Sequence, residues 1–235
     1  MTDKYSISVI VPAYNEEGNI VDTVAAIKAA AAGKFREYEI LIIDDASSDG
    51  TGSVADEISR EDPNVRVVHN SKNMGLGHNY RLGVSLATKN YIGFVPGDNE
   101  MLENSIKDVF NCVGKADMVL PYHVNPKERS LMRRAISGSF TALLNLLFGY
   151  NLKYYNGPVV HKKDIVTKVS MTTDGFAYQA EILTRLLKAG HSYIEVGMRI
   201  RSRQHGYSKA LRTENIWSVL KTIARVYWEL KLKKP

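Results

Sequence analysis

Short apolar runs alternate with amphipathic stretches along the first half of the chain. Four runs have the length and composition of strands: "SISVIVPAY", "YEILIIDD", "VRVVHN" and "YIGFVPG". The stretches between them, such as "EEGNIVDTVAAIKAAA" and "GLGHNYRLGVSLA", have the periodicity of helices. Apolar strands separated by helices are typical of a parallel sheet that is buried on both faces. The pattern therefore predicts an α/β fold with a doubly wound, mostly parallel sheet flanked by helices.

The second half of the chain has longer helical patterns. The stretch "ERSLMRRAISGSFTALLNLLFGY" is basic at its start and then apolar at helical spacing, and "DGFAYQAEILTRLLKAG" predicts a helix that ends at Gly190. The last stretch, residues 213–235, predicts an amphipathic helix. Its apolar stripe would comprise Ile216, Leu220, Ile223, Tyr227 and Leu230. There is no internal repeat and no obvious linker, so we expect one domain over residues 1–235, in three successive segments: 1–120, 121–212 and 213–235.

Charge changes sign between the two halves. Residues 1–120 hold 11 Lys and Arg against 18 Asp and Glu, whereas residues 121–235 hold 20 against 7. An excess of positive charge is typical of proteins that meet a nucleic acid, an anionic membrane or a phosphorylated substrate. Ordinary solvated surface lysines are the alternative explanation for much of it. Because the chain lacks the stacking aromatic pattern of an RNA-recognition motif, we do not expect a nucleic acid as the partner.

Cysteine content and hydropathy indicate the compartment. The single cysteine, Cys112, excludes an internal disulfide and a multi-cysteine metal site, and it is typical of a reducing compartment. The apolar run near the N-terminus is too short for a signal peptide. The longest apolar stretch is interrupted by Asn145 and falls short of the roughly 20 residues that a membrane span needs. We therefore expect a cytoplasmic protein.

Carboxylates follow three of the predicted strands, in "PAYNEE", "DDASSDG" and "PGDNE". Ligands of parallel α/β sheets bind beyond the carboxyl ends of the strands, so these acids predict a site for a cation or a polar ligand. Residues two apart in an extended loop point the same way, so Asp98 and Glu100 could hold one cation. The alternative is that both acids cap a helix that begins near Leu102.

Six short motifs, taken in order, resemble one family. They are V-P-A-Y-N-E at 11–16, D-D-A-S-S-D-G-T at 44–51, N-M-G-L-G at 73–77, R-R-A-I-S at 133–137, G-F-A-Y-Q-A-E at 175–181 and R-Q-H-G-Y-S-K at 203–209. Together they resemble the inverting family 2 glycosyltransferases of the Rossmann-like GT-A fold, and most of all the polyprenyl-phosphate sugar transferases of the dolichol-phosphate mannose synthase type. Two motifs differ from that family: its D-A-D reads Pro96-Gly97-Asp98 here, and its S-R-Y reads Leu120-Pro121-Tyr122.

The resemblance implies a donor site in residues 1–120. The donor would be a GDP- or UDP-sugar, and Mg²⁺ or Mn²⁺ held by Asp98 and Glu100 would neutralise the leaving diphosphate. Asp45 would bind the nucleotide, while Asp44 caps or braces. The expected nucleotide-sugar-binding residues are Pro12, Ala13, Tyr14, Glu16, Asp45, Asp98, Arg203 and Lys209. For Tyr14, plain packing is the alternative.

The resemblance implies an acceptor site in residues 121–212, with a C-terminal extension on the acceptor side. A polyprenyl phosphate of the dolichyl or undecaprenyl type would be bound by Arg133 and Ser137, which are four apart and thus share one helix face. A solvated basic helix face is the alternative for Arg133. The expected catalytic residues are Asp98, Asp174 and Arg203. An anionic phosphate nucleophile needs positioning rather than a strong base.

Three alternatives stay open at this point. A saccharide or other hydroxyl acceptor would need a general base, for which Asp174 is the candidate. The incomplete D-A-D motif is compatible with a nucleotide-sugar binder that does not turn over. The apolar helix after Arg134 and the lysine-rich last helix would either lie on an anionic membrane, as in a peripheral protein on the cytoplasmic face, or simply cover the sheet.

Overall fold

The computed structural model describes residues 4–201 and 213–232, and only the backbone of 213–216 and 232. The strands are β1 (Ser6–Ala13), β2 (Glu37–Asp44), β3 (Val65–His69), β4 (Tyr91–Phe94), β5 (Met118–His123), β6 (Val160–Lys162) and β7 (Tyr193–Met198). The helices are α1 (Ile20–Ala31), α2 (Thr51–Glu61), α3 (Leu76–Leu86), α4 (Glu103–Phe110), α5 (Leu131–Phe148), α6 (Lys163–Val166), α7 (Tyr178–Lys188) and α8 (Thr213–Tyr227). A 3₁₀ turn (Pro126–Glu128) precedes α5, and a π-helical turn (Trp228–Leu232) follows α8.

The described strands form one mixed sheet in the order β3-β2-β1-β4-β6-β5-β7. Only β6 runs against its neighbours, β4 and β5, so the carboxyl ends of the other strands lie at one edge. The register places Ala13 opposite Asp44 and Ile10 opposite Phe94. The predicted α/β fold with a mostly parallel sheet is confirmed. The division drawn at residue 120 falls inside β5, so the two halves of the chain share one sheet.

Two apolar cores lie on opposite faces of this sheet. Successive residues of β2 alternate between them: Ile40 and Ile42 pack with α1 and α4, and Leu41 and Ile43 pack with α3 and α7. This alternation follows from the period of two in a strand. Because both faces of the central strands are covered, they are apolar at nearly every position, and polar side chains collect beyond their ends.

The helix α5 is only partly buried. Leu144 and Phe148 belong to the core, but Leu131 and Leu146 at its two ends are 76% and 83% exposed. One face of this helix therefore covers the fold, as one of the two interpretations predicts, and another face remains uncovered. Contact of α5 with a membrane stays a prediction. None of the helices in the described ranges is long and apolar enough to cross a bilayer.

The buried face of α8 differs in part from the predicted stripe. Ile223 is buried, as expected, but Leu220 is exposed, and Thr222 and Val226 are buried in its place. The reason is that α8 packs into the angle between α5 and α7, where Phe148 contacts Tyr227 edge to face. The side chain of Ile216, also in the predicted stripe, is not described.

Candidate active site

Three loops at the carboxyl edge of the sheet contain a residue in the left-handed backbone region. They are Asn15 (φ 59°) after β1, Ala46 (φ 59°) after β2 and Asn99 (φ 53°) after β4. Asparagine adopts this conformation more readily than most residues, whereas alanine adopts it rarely. Strained backbone of this kind clusters at ligand sites because the surrounding structure must hold it in place. The strain marks the same edge that the sequence predicts.

The loops after β1 and β2 are joined by hydrogen bonds. The Asn15 amide donates to Ser47 Oγ (3.0 Å), the Ser48 amide donates to Asn15 Oδ1 (2.8 Å), and the Glu16 amide donates to Thr51 Oγ1 (2.7 Å). Tyr14 lies half-buried at the start of this unit. The two loops thus form one rigid wall, and it carries two of the predicted nucleotide-binding residues, Tyr14 and Glu16.

Pro12 and Ala13 are buried at the end of β1, behind that wall. The Pro12 carbonyl accepts from the Gly97 amide (3.1 Å), and the Ala13 carbonyl accepts from the Asp45 amide (2.9 Å). These contacts tie the three strand ends together. Both residues are expected to line a nucleotide pocket, which stays a prediction; the contacts of their carbonyls also support the neighbouring loops.

Asp45 is 3% exposed and fixes the start of α3. Its carboxylate accepts hydrogen bonds from Asn70 Nδ2 (2.8 Å), the Met74 amide (2.8 Å) and the Gly75 amide (3.0 Å). A buried carboxylate with three donors stabilises the loop that it binds. A direct contact of Asp45 with a nucleotide stays a prediction, and the bracing role comes in addition.

Asp44 is the brace that the sequence predicts. It accepts from the Ser47 amide (3.1 Å), and its Oδ2 lies 2.9 Å from His69 Nδ1, while His69 Nε2 lies 3.1 Å from Asp56. Burial raises the pKa of Asp44, but the bonds from Ser47 and His69 outweigh it and leave the pKa lowered. The hydrogen bonds to Asp44 and Asp56 raise the pKa of His69. The charged forms of both Asp44 and His69 are therefore favoured.

Asp98 and Glu100 lie half-buried on the loop after β4. Gly97 permits that loop to approach β1, because a Cβ there would lie 3.1 Å from the Pro12 carbonyl oxygen. The Glu100 amide donates to Asp98 Oδ1 (3.2 Å). Helix α4 begins at Glu103, and its N-cap, Leu102, provides no side-chain cap. The expected alternative, in which both acids cap this helix, is wrong because they lie on the loop before it.

The loop fits a divalent cation that a nucleotide shares. Within the part of the chain that the structure describes, no group of three His, Cys, Asp or Glu side chains could hold a metal ion by itself. Mg²⁺ bound with a nucleotide needs only one or two carboxylates, because phosphate oxygens and water complete its shell. Asp98 and Glu100 are two such oxygen donors at the ligand-binding edge, so the residues present suit Mg²⁺ or Mn²⁺.

The chain after β7 returns to this loop. The Arg201 amide donates to the Glu100 carbonyl (2.8 Å), and Met101 and Ile200 form an antiparallel bridge. The Asn125 side chain also binds the backbone of Ile200 from both sides, at 2.7 and 3.1 Å. The segment that leads into the basic motif is thus held beside Asp98 and Glu100. Arg203 and Lys209 lie outside the described residues.

The predicted acceptor residues of α5 face two different partners. Arg133 Nη1 lies 3.8 Å from Glu100 Oε1, so the helix meets the donor-side loop there. Ser137 Oγ donates to the Arg134 carbonyl (3.2 Å) and accepts from Arg129 Nη1 (3.4 Å). Three residues that no sequence motif marks, Arg129, Lys153 and Tyr154, line a cleft beside Ser137. The only sequence signals for them were the basic "KERSLMRR" and the aromatic "LKYYNG".

Asp174 lies beside the start of α3, where its carboxylate accepts from Arg81 Nη2 (2.6 Å). Its carbonyl accepts from the Gly77 amide (2.8 Å). A Cβ at Gly75 would lie 2.7 Å from the Asp174 carbonyl oxygen, and Gly75 also has a φ of 90°. The glycines of the N-M-G-L-G motif therefore permit close approach of this segment. One carboxylate oxygen of Asp174 is thus paired with Arg81.

Comparison with known proteins agrees with this geometry. Residues 8–171 match the model of "Glycosyl transferase family 2". Over 211 residues the chain is 26% identical to the undecaprenyl-phosphate mannosyltransferase of Micrococcus luteus, covering 85% of each chain. Over 214 residues it is 25% identical to the polyprenol monophosphomannose synthase of Mycolicibacterium smegmatis, covering 86% of this chain and 79% of that protein.

Solved structures agree on the fold. Mannosyl-3-phosphoglycerate synthase from Rubrobacter xylanophilus superposes with a TM-score of 0.75 at 17% identity, over 98% of this chain and 78% of that one. Glucosyl-3-phosphoglycerate synthase from Mycobacterium tuberculosis, solved with Mn²⁺, UDP-glucose and phosphoglyceric acid, gives 0.71 at 15% identity, over 95% and 80%. At these identities the likeness concerns the fold alone, and it confirms the predicted GT-A architecture.

Proposed function

Since the chain belongs to glycosyltransferase family 2, we propose that it transfers a sugar from a nucleotide-sugar to a polyprenyl phosphate, with inversion at the sugar. The observation that carries the proposal is the meeting of Glu100 and Arg133, at 3.8 Å, where the donor-side loop touches the acceptor-side helix. Transfer needs a metal-bound donor and an anionic acceptor side by side. The two relatives, an undecaprenyl-phosphate mannosyltransferase and a polyprenol monophosphomannose synthase, support this acceptor class.

On the donor side, the wall of Tyr14, Glu16 and the loop after β2 would bind the base and ribose of a GDP- or UDP-sugar. Asp45 would hold that wall and contribute to nucleotide binding. Asp98, assisted by Glu100, would hold Mg²⁺ or Mn²⁺, as suits their oxygen ligands. When bound, the cation neutralises charge on the leaving nucleoside diphosphate. Arg203 and Lys209, on the chain that continues from Arg201, would close over the diphosphate.

On the acceptor side, the nucleophile would be a phosphate oxygen, which is already anionic at neutral pH. It needs orientation by cations rather than a strong base. Arg133 would bind that phosphate, and Ser137 would take part in the same site. A sugar hydroxyl would instead need a general base, for which Asp174 is the candidate; one of its carboxylate oxygens is paired with Arg81.

Peripheral membrane contact belongs to the same proposal. A polyprenyl phosphate lies with its chain in a bilayer, so the acceptor face must reach the membrane surface. The exposed side chains of Leu131, Met132 and Leu146 on α5 and of Trp217 and Trp228 near the C-terminus are suited to the interface of a bilayer. Arg129 and Arg134 add positive charge near anionic headgroups. The cytoplasmic face, inferred from the single cysteine, is the expected side.

The test is a transfer assay with defined acceptors. Purified protein is incubated with labelled UDP- and GDP-sugars, Mn²⁺ and a short-chain polyprenyl phosphate, and label is measured in the organic extract. We expect extractable product that requires both the cation and the phosphate, and an anomeric configuration, read by NMR, opposite to that of the donor. Transfer to free saccharides alone would establish the hydroxyl-acceptor alternative. Donor binding without transfer to either acceptor class would establish a non-catalytic binder.

A further inference from the structure

A cleft of about 680 Å³ lies between α5, the end of β5 and the segment before β6. We propose that it binds the phosphate group of the acceptor through Arg129, Arg134 and Lys153, of which Arg129 and Lys153 lie outside every motif noted in the sequence. This inference rests on the proposed function, because it names the residues that would hold that acceptor. Its lining also includes Tyr122, His123, Tyr154, Gly138 and Ala142.

The charge of the cleft is positive. Its lining contains three cationic side chains and, among the described residues, no carboxylate. Arg129 and Arg134 form no salt bridge with any described residue, whereas Lys153 forms a long one with Glu195, at 3.9 Å, and Glu195 does not line the cleft. Cations gathered in a concave site raise the local concentration of anions. The site is therefore suited to a phosphate.

Aromatic rings position these cations without neutralising them. Lys153 Nζ lies 4.2 Å from the centre of the Tyr122 ring, and the Arg129 guanidinium lies 5.8 Å from that of Tyr154. A ring attracts a cation through its quadrupole but leaves the N–H groups free for an anion. Tyr122 lies at the end of β5 and lines the cleft, so its ring holds the Lys153 ammonium there.

Arg133 and Ser137 would bind the acceptor phosphate together with the cations of the cleft. Arg133 faces Glu100 on the donor-side loop, so it lies between the two substrates. Ser137 lines the cleft and accepts a hydrogen bond from Arg129 (3.4 Å), which orients that guanidinium. The acceptor phosphate would thus be bound on one side by Arg133 and on the other by the cations of the cleft.

His123 adds a neutral group to the wall of the cleft. Its ring contacts Tyr154 at 4.8 Å, and its buried Nδ1 has no hydrogen-bond partner among the described residues. Burial, followed by the nearby charges of Arg129 and Arg133, lowers the pKa of His123 to about 4. The imidazole is therefore neutral at physiological pH and adds no charge to the wall of the cleft.

The cleft has room for more than a phosphate. Small residues, Ala135, Gly138 and Ala142, line its α5 side, and a Cβ at Gly138 would meet no atom within 4 Å. A volume of this size is typical of ligand sites for larger molecules. The first isoprene units of a lipid phosphate would fit along α5, and a soluble phosphorylated acceptor would use the cations alone.

The test measures binding without donor, so it does not depend on turnover. Inorganic phosphate and a short-chain polyprenyl phosphate are titrated calorimetrically into wild type, Lys153→Met, Arg129→Met and the control Lys127→Met. Lys127 is exposed on the 3₁₀ turn and does not line the cleft. Each cleft variant should bind both ligands about tenfold more weakly, as expected for a lost charge-assisted hydrogen bond. Lys127→Met should bind as wild type does.

Gly138→Leu distinguishes the two sources of phosphate. It should weaken the polyprenyl phosphate and leave inorganic phosphate unchanged. Unchanged binding of the lipid in Gly138→Leu would assign the cleft to soluble phosphates and overturn the lipid part of the inference. Unchanged affinity in both Lys153→Met and Arg129→Met, with native circular dichroism, would overturn the phosphate site itself. Absence of transfer to lipid, with the binding losses as expected, would refute the proposed reaction and keep this site.

Discussion

Two sets of buried side chains, one in each half of the molecule, are kept in opposite charge states. In residues 4–120, hydrogen bonds hold buried acids in the charged form: burial raises the pKa of Glu39 and of Asp44, but bonds from neighbours outweigh it and lower both. In the second half, burial keeps several groups neutral. It lowers the pKa of His161 to about 3 and that of His123 to about 4, and it raises the pKa of Tyr178.

This difference suits the two halves of the molecule to different ligands. Charged side chains bound to backbone amides make a rigid, preorganised edge, which suits a charged and invariant ligand such as a nucleotide. The second half has desolvated aromatic and histidine side chains, uncovered apolar helix faces and an excess of positive charge. Such a surface suits an anionic headgroup on an apolar chain. The comparison can be tested by perturbing each half separately.

The largest expected effect concerns Asp98. Asp98→Asn should remove the Mn²⁺-dependent part of nucleoside-diphosphate affinity and lower transfer by on the order of 100-fold or more, because a metal supplies several kcal/mol of charge stabilisation. Calorimetry with and without Mn²⁺ measures the first effect, and initial rates measure the second. Asp108→Asn, on the exposed side of α4, is the control. Undiminished metal-dependent affinity in Asp98→Asn would show that another residue holds the cation.

The next effect concerns Asp45 and separates bracing from ligand binding. Asp45→Ala leaves the buried amides of Met74 and Gly75 without their acceptor and should lower the free energy of unfolding by about 3 kcal/mol. Urea titration measures this loss. Asp56→Ala, which removes one exposed contact to His69, should cost less than about 1 kcal/mol. Lost nucleotide affinity with unchanged stability in Asp45→Ala would make Asp45 a ligand and not a brace.

These two residues show how far sequence reasoning reaches. The apolar alternation placed the strands, and strand ends placed Asp45 and Asp98 at one edge, because parallel strands end together. The hydrogen-bond partners of Asp45 come from the loop around Met74, about thirty positions away, and no local pattern reveals them. The cleft is harder still, since Arg129 and Lys153 belong to different elements that meet only through packing. Family motifs mark Arg133 but not its contact with Glu100.

A pH titration tests the contrast in protonation. His161 is fully buried, with its Nδ1 2.9 Å from the Tyr80 hydroxyl. Its pKa falls from 6.5 to about 3 on folding, so below pH 6.5 the unfolded chain binds a proton that the folded chain does not. Its contribution to stability should therefore decrease as the pH falls, by about 2 kcal/mol at pH 5. Urea titrations of wild type and His161→Gln at pH 7 and pH 5 measure this change in the free energy of unfolding. The variant should lose less stability than wild type between the two pH values.

His69 provides the opposite sign in the first half. Its pKa is raised, so its contribution is fully present below pH 6.5 and is lost as the pH rises through the raised value. The effect should stay below about 1 kcal/mol, because the ring is half-exposed. His69→Gln should therefore remove a small gain in the free energy of unfolding that wild type shows on acidification. If both variants changed the pH dependence in the same direction, the contrast between the halves would be wrong.

A last prediction tests which half meets the membrane. Leu146 on α5 is 83% exposed and Val21 on α1 is 53% exposed, so each offers an uncovered apolar side chain. Burying a leucine in an apolar phase is worth about 1.5–3 kcal/mol, and a side chain only partly inserted at the interface gains less. Leu146→Ser should thus lower partition onto anionic vesicles roughly tenfold or less, whereas Val21→Ser should leave it unchanged. Sedimentation with vesicles at low salt measures the partition, and added salt should weaken it because the basic side chains are screened. Equal losses in both variants, or no sedimentation of wild type, would mean that the uncovered face of α5 does not reach a bilayer.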